Sequence, residues 1–157
     1  MVKFYLSVKA ELQGVSGVEP VDTPDDQFEY MFVIECTKCR TTHSKNIGIN
    51  QYSHYDLDSK GQAHFIYRCK ECKNESNASI ERLKTKLDES NQWCRLLAID
   101  ARGLEVKKFV PEGNFTATGV SGTKFFMELE DGEWYDYDDK TSEEVSITEI
   151  EWKVERT

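Results

Sequence analysis

The chain has 157 residues, a net charge of −9 and 38% hydrophobic residues. That is the size of one domain, and long enough to bury a core without disulfides. No apolar run approaches the 18 residues of a membrane-spanning helix, and the few prolines and glycines exclude collagen-like repeats.

The first element is legible at once. Val2, Phe4, Leu6, Val8, Ala10 and Leu12 alternate with Lys3, Tyr5, Ser7, Lys9 and Glu11, the pattern of a half-buried strand. It reads as neither a signal peptide nor a transit peptide, so the expected compartment is cytoplasm, with the nucleus as a second location. Gly14 to Gly17 and Asp22 to Asp26 read as turns. Phe28 to Glu35 reads as a strand that runs into Cys36-Thr37-Lys38-Cys39. Asp58 to Gly61 reads as a turn, and Ala63 to Arg68 as a strand that runs into Cys69-Lys70-Glu71-Cys72. Further strands are expected at Ala78 to Leu83, Gln92 to Ala101, Phe115 to Thr118, Thr123 to Leu129 and Ser146 to Val154. Pro111 to Asn114, Ser121-Gly122 and Asp131-Gly132 are turns between them. Ile80, Leu83 and Leu87 have helical spacing, so a short helix competes with strand and turn there. The expected fold is all-β, an antiparallel sandwich or barrel.

Two CxxC pairs are the strongest chemical signal. A two-residue spacer lets both sulfurs of a pair point at one ion about 2.3 Å away, and two pairs complete a tetrahedron. Each pair reads as a knuckle at a strand end. If the two strands are neighbours, the knuckles face each other and one Zn²⁺ joins them. The 29 residues between the pairs exceed the usual spacing of small zinc modules. Lengthening that loop from about 18 residues costs only roughly 0.4 kcal/mol of closure entropy. Structural zinc contributes on the order of 10–16 kcal/mol in small peptides, so the gap is affordable and implies folded strands between the pairs. Lys38, Arg40, Arg68, Lys70 and Lys73 flank the cysteines and offset the net −2 of a zinc tetrathiolate. Iron uses the same four ligands and is the first rival; a thioredoxin-like redox pair fits less well, because no βαβ pattern surrounds either CxxC. His43, His54 and His64 are expected as loop or surface residues, and Cys94 as a small buried hydrophobe.

Charge is unevenly divided. Residues 91–157 hold 8 basic and 15 acidic side chains, a net of −7, whereas residues 36–73 hold 7 and 3, a net of +4. The acidic whole disfavours nucleic-acid binding, although the basic segment 36–73 keeps it as a minor reading. Glu128 to Glu144 holds nine acidic residues with Trp134, Tyr135 and Tyr137. It reads as a solvated edge, with a protein-partner site as the alternative.

Faint echoes suggest duplication. Residues 6–21 resemble 97–109, Phe32 to Cys36 resembles Phe126 to Glu130, and Ser79-Ile80-Glu81 resembles Ser146-Ile147-Thr148. The expected organisation is one β domain over 1–157, divisible into a zinc-bearing half, 1–88, and an acidic half, 89–157.

The sequence resembles the eukaryotic CXXC-motif-containing zinc-binding proteins. The resemblance rests on Lys9-Ala10 and Pro20, both CxxC pairs, Arg102-Gly103-Leu104-Glu105, Phe109, Pro111, Gly113 and Phe115. It continues through Gly119, Ser121-Gly122-Thr123 and Phe125 to Trp134 and Asp136-Tyr137-Asp138. It implies an all-β protein with one zinc on Cys36, Cys39, Cys69 and Cys72, and brings no established activity. Arg40 and Val106 depart from the family pattern, in which a small residue and a proline are usual.

The function expected is a zinc-stabilised, non-enzymatic β scaffold that binds other proteins as a monomer and has no membrane partner. No P-loop, dinucleotide fingerprint, nucleophile elbow or HExxH motif is present. The alternative is metal handling or thiol redox chemistry on the same pairs. Asp136 and Asp138, two apart on one strand, are the best candidates for an enzyme.

Overall fold

The structure is a computed structural model and describes residues 2–43, 45–57 and 61–157. Among these, fourteen strands and no helix are found. In chain order they are β1 (Val2–Gln13), β2 (Val15–Pro20), β3 (Tyr30–Cys36), β4 (Ile47–Ile49), β5 (Tyr55–Asp56), β6 (Gln62–Ala63), β7 (Phe65–Arg68) and β8 (Glu75–Arg82). Then follow β9 (Cys94–Arg102), β10 (Leu104–Val110), β11 (Asn114–Gly119), β12 (Lys124–Glu128), β13 (Trp134–Asp138) and β14 (Glu143–Arg156).

One six-stranded antiparallel sheet has the order β13-β14-β1-β9-β8-β7 and curls into a half-barrel. Two three-stranded sheets, β10-β3-β4 and β12-β11-β2, accompany it. A two-stranded sheet pairs β5 with β6. Trp152 of β14 joins the three larger sheets: its ring centre lies 4.9 Å from that of Phe109 of β10 and 5.6 Å from that of Phe115 of β11. The alternation of β1 explains its place at the centre. Phe4, Leu6, Val8 and Ala10 are buried in the core, while Lys3 and Glu11 face solvent.

The strand orders are symmetric. Exchanging β1 with β9, β14 with β8 and β13 with β7 reverses the large sheet onto itself. The same operation turns β10-β3-β4 into β2-β11-β12. A two-fold axis through an antiparallel pair makes equivalent residues partners where it passes. Leu6 and Leu97, the residues aligned by the sequence echo, sit directly opposite each other. The second strand of each half is donated to the other half's small sheet: β2 pairs with β11 and β10 with β3. The halves are therefore interleaved, and this favours their acting as one body.

Several sequence expectations need correction. Gly14 to Gly17 is not a turn; Gly14 alone makes the corner and β2 begins at Val15. Phe32 to Cys36 corresponds to β11 and not to the segment Phe126 to Glu130, which holds most of β12. Strand pairing also separates the two cysteine-bearing strands: β3 lies inside a small sheet and β7 on the edge of the large one. Ala78 to Arg82 forms strand as expected, within β8, and not helix, while Leu83 lies just beyond its end. Most of the turn expected at Asp58 to Gly61 lies outside the described residues.

The corner between β9 and β10 shows why a glycine is needed. Gly103 has φ +80°, and a Cβ there would lie 3.0 Å from Cβ of Ser76 on β8. Gly103→Ala is expected to destabilise the fold by about 1–3 kcal/mol, because a left-handed backbone and a tight contact both oppose it. Urea unfolding at neutral pH measures this; an unchanged midpoint contradicts it.

Candidate metal centre

Two turns of the same design close the ends of β3 and β7. After β3, the Arg40 amide donates to the Cys36 carbonyl at 2.9 Å and the Cys36 amide donates to the Thr41 carbonyl at 3.0 Å. After β7, the Lys73 amide donates to the Cys69 carbonyl at 2.9 Å and the Cys69 amide donates to the Asn74 carbonyl at 3.0 Å. The fifth residue of each turn takes a left-handed conformation: φ is 61° at Arg40 and 63° at Lys73. Arg40, which departs from the family pattern, therefore fits a knuckle turn. A non-glycine residue there costs roughly 1–2 kcal/mol, and its guanidinium meets Glu35 at 3.3 Å and Glu105 at 3.5 Å.

The turns bring four sulfurs together. Sγ atoms of Cys36, Cys39, Cys69 and Cys72 all lie within 4.8 Å of one another. Two approaches cross between knuckles: Cys36 to Cys72 and Cys39 to Cys69, each 3.6 Å. Zinc–sulfur bonds of about 2.3 Å in a tetrahedron require sulfurs about 3.8 Å apart, so the donor set and its spacing fit Zn²⁺. Separations of 3.6 Å are far above a disulfide bond.

The four thiols have different surroundings. Cys36 and Cys69 are buried, Cys72 is half-buried and Cys39 is exposed. Burial pushes the Cys36 thiol up. The Thr41 hydroxyl, 3.2 Å from Cys39 Sγ, holds that thiol below its usual value. The Asn74 side-chain amide donates to Cys72 Sγ at 3.3 Å and is the main reason that thiol is lowered to about 6. Hydrogen bonds to sulfur thus favour the thiolate on the outer pair, the form a metal needs.

The remaining candidates fall away from this cluster. His43 packs at a tilt against Tyr67 with ring centres 4.7 Å apart, and His54 is exposed. His64 accepts the Ile80 amide on Nδ1 at 2.9 Å. Cys94 is half-buried at the start of β9 rather than fully inside. Asp136 and Asp138 do not form a carboxylate pair facing a substrate: Asp136 is exposed, whereas Asp138 is 1% exposed and engaged within the protein.

Asp138 marks the feature that sequence reasoning missed. The two-fold operation places β11 on β3 and β13 on β7, so the loops after β11 and β13 correspond to the two knuckles. After β13 the same five-residue turn recurs: the Ser142 amide donates to the Asp138 carbonyl at 2.8 Å, and Ser142 has φ 58°. Asp138 therefore stands where the first half has Cys69. Its carboxylate accepts the Ser121 hydroxyl at 2.7 Å, the Lys140 amide at 3.0 Å and, more weakly, the Thr123 hydroxyl at 3.5 Å. Gly119 stands where the first half has Cys36, and a Cβ on it would lie 2.8 Å from Asp138 Oδ2. A hydrogen-bonded carboxylate thus joins β11 to β13 where four thiols join β3 to β7. The signal in the sequence was the pairing of Ser121-Gly122-Thr123 with Asp138, visible only once the two halves are superimposed.

An all-β protein with four cysteines positioned to hold a metal ion between two strand-end knuckles is the class these observations define. The family model described as "CXXC motif containing zinc binding protein, eukaryotic" matches residues 5–155, and the chain belongs to that family. A UPF0587 protein of Schizosaccharomyces pombe is 36% identical over 159 residues, covering 99% of each chain. A CXXC motif containing zinc binding protein of Rattus norvegicus is 32% identical over 158 residues, covering 96% of each. A crystal structure of C1orf123 superimposes with a TM-score of 0.89 at 28% identity, covering 99% of each chain. A hypothetical protein from Plasmodium falciparum superimposes at 0.86 and 25% identity, covering 99% of this chain and 100% of that one.

The Ser121 hydroxyl, ahead of the other contacts, holds the Asp138 carboxyl below its ordinary range. A depressed carboxyl contributes stability that is present above its unfolded pKa of about 3.9 and is lost as pH falls through the lower folded value. Asp138→Asn is expected to be less stable than the parent at pH 7, with the difference shrinking on acidification. Urea midpoints of both proteins at pH 7 and pH 3 test this; a constant difference contradicts it. Gly119→Ala is expected to cost about 1–3 kcal/mol by pressing on the same carboxylate.

Proposed function

We propose that the chain is a non-enzymatic β scaffold, stabilised by one Zn²⁺ on Cys36, Cys39, Cys69 and Cys72, that binds other proteins. The observation that carries this reading is the cluster itself. Its four thiols are enough to fill all four positions of a tetrahedral ion, which would leave none for water or substrate, as in structural rather than catalytic zinc sites. Membership of a family described as zinc-binding supports the choice of metal. The reading includes a monomer working in the reducing cytoplasm, with access to the nucleus, because the cluster needs free thiols. A net charge of −9 argues against nucleic acid as the partner.

A second reading, metal exchange or thiol redox chemistry, is favoured by one observation. Cys39 is exposed and Cys72 is half-buried, so the outer pair is reachable by a competing ligand or an oxidant.

Elemental mass spectrometry of the untagged chain is expected to find one zinc per chain. Cys36→Ser is expected to lose it and to unfold at lower urea. Affinity capture from a eukaryotic lysate is expected to retain a defined protein with the parent and not with the variant. Zinc loss to a chromogenic chelator within minutes, with the fold intact afterwards, overturns the scaffold reading and favours exchange.

A further inference from the structure

A cavity of about 260 Å³ opens beside the first knuckle. Its floor is apolar and buried: Phe4 of β1, Ala101 of β9 and Leu104 of β10. Its rim carries Arg40, Arg102 and Arg156. The chain has six arginines, so half of them line one cavity in a protein of net charge −9. Glu105 is the one carboxylate in the lining, and it is already held by Arg40 at 3.5 Å and Lys107 at 3.6 Å. Among the described residues, no carboxylate lies within 4 Å of Arg102 or Arg156.

The two-fold symmetry shows that the fold does not demand a charge at Arg102. Arg102 precedes Gly103 at the corner between β9 and β10. The equivalent corner between β1 and β2 is built with Gln13 before Gly14. Arg102 is therefore a property of this cavity, not of the turn.

We propose that this cavity binds an oxyanion, carboxylate or phosphate, carried on a small apolar body. Guanidinium groups match both oxyanions by paired hydrogen bonds, and uncompensated ones at a concave surface attract them most strongly. The apolar floor takes the body of the ligand, the arrangement usual in small-molecule sites.

The test is an NMR titration of the zinc-loaded full chain at low ionic strength. Phenyl phosphate and benzoate share one apolar ring and differ in the oxyanion; benzyl alcohol is the uncharged control. Saturable shifts of the Arg102, Gly103 and Leu104 amides are expected with at least one oxyanion and not with the alcohol. The tighter of the two identifies the preferred oxyanion. The double variant R102A/R156A is expected to bind roughly tenfold or more weakly with an unchanged Tm, whereas Lys124→Ala binds as the parent. Absence of saturable shifts overturns the proposal. So does equal binding by the double variant, or a double variant whose only change is faster zinc loss, since the arginines would then serve only to offset the charge of the thiolates.

Discussion

Strands β3 and β7 belong to different sheets and share no ladder, yet the sulfurs that follow them approach to 3.6 Å. The link between these strand ends must therefore come from side chains. Buried thiols alone supply little attraction, and thiolates repel. A shared cation converts the same four groups into a strong cross-link, worth up to the order of 10 kcal/mol in small zinc peptides. That is comparable with the whole stability of an ordinary domain. On the proposed ligation, the ion ties the end of β3 to the end of β7, while Phe109 on Trp152 packs the rest of the small sheet β10-β3-β4 against the large one.

The second half meets the same geometric problem with hydrogen bonds. Its strands β11 and β13 are likewise in different sheets, and the Asp138 carboxylate with Ser121, Thr123 and the Lys140 amide spans the gap. The shared five-residue turn, with left-handed residues at Arg40, Lys73 and Ser142, shows that the frame is common and only the contents differ. A carboxylate accepts several hydrogen bonds at once, which suits it to the buried position that Cys69 fills in the first half. Acidification is expected to open both links, one by protonating thiolates and the other by protonating Asp138.

Much of this was readable in the sequence, and for identifiable reasons. The alternation of Val2 to Leu12 is long enough to define a face, and that strand became the centre of the large sheet. The CxxC spacing is local, so Cys36, Cys39, Cys69 and Cys72 could be picked out before any fold was known. Strand partners were not readable, because pairing is a long-range property. The direct continuation of β3 and β7 into knuckles suggested adjacent strands, whereas the turns meet across two sheets. The short strands β4 and β13 carry too few residues to display a period, and β10 was hidden behind Lys107 and Lys108 at its centre. Asp138 was paired with Asp136 as an acidic candidate in an acidic run; its burial and its bonds to Ser121, Thr123 and the Lys140 amide separate it from Asp136 and Asp139.

Native-state hydrogen exchange on the zinc-loaded and zinc-free chain tests the central claim most directly. If one ion ties the two sheets together at the knuckles, its removal lowers protection at the ends of β3 and β7 and along β4 and β8, while the ends of β11 and β13, held by Asp138, keep theirs. Unchanged protection at β3 and β7, or a loss that falls equally on both halves, contradicts the account.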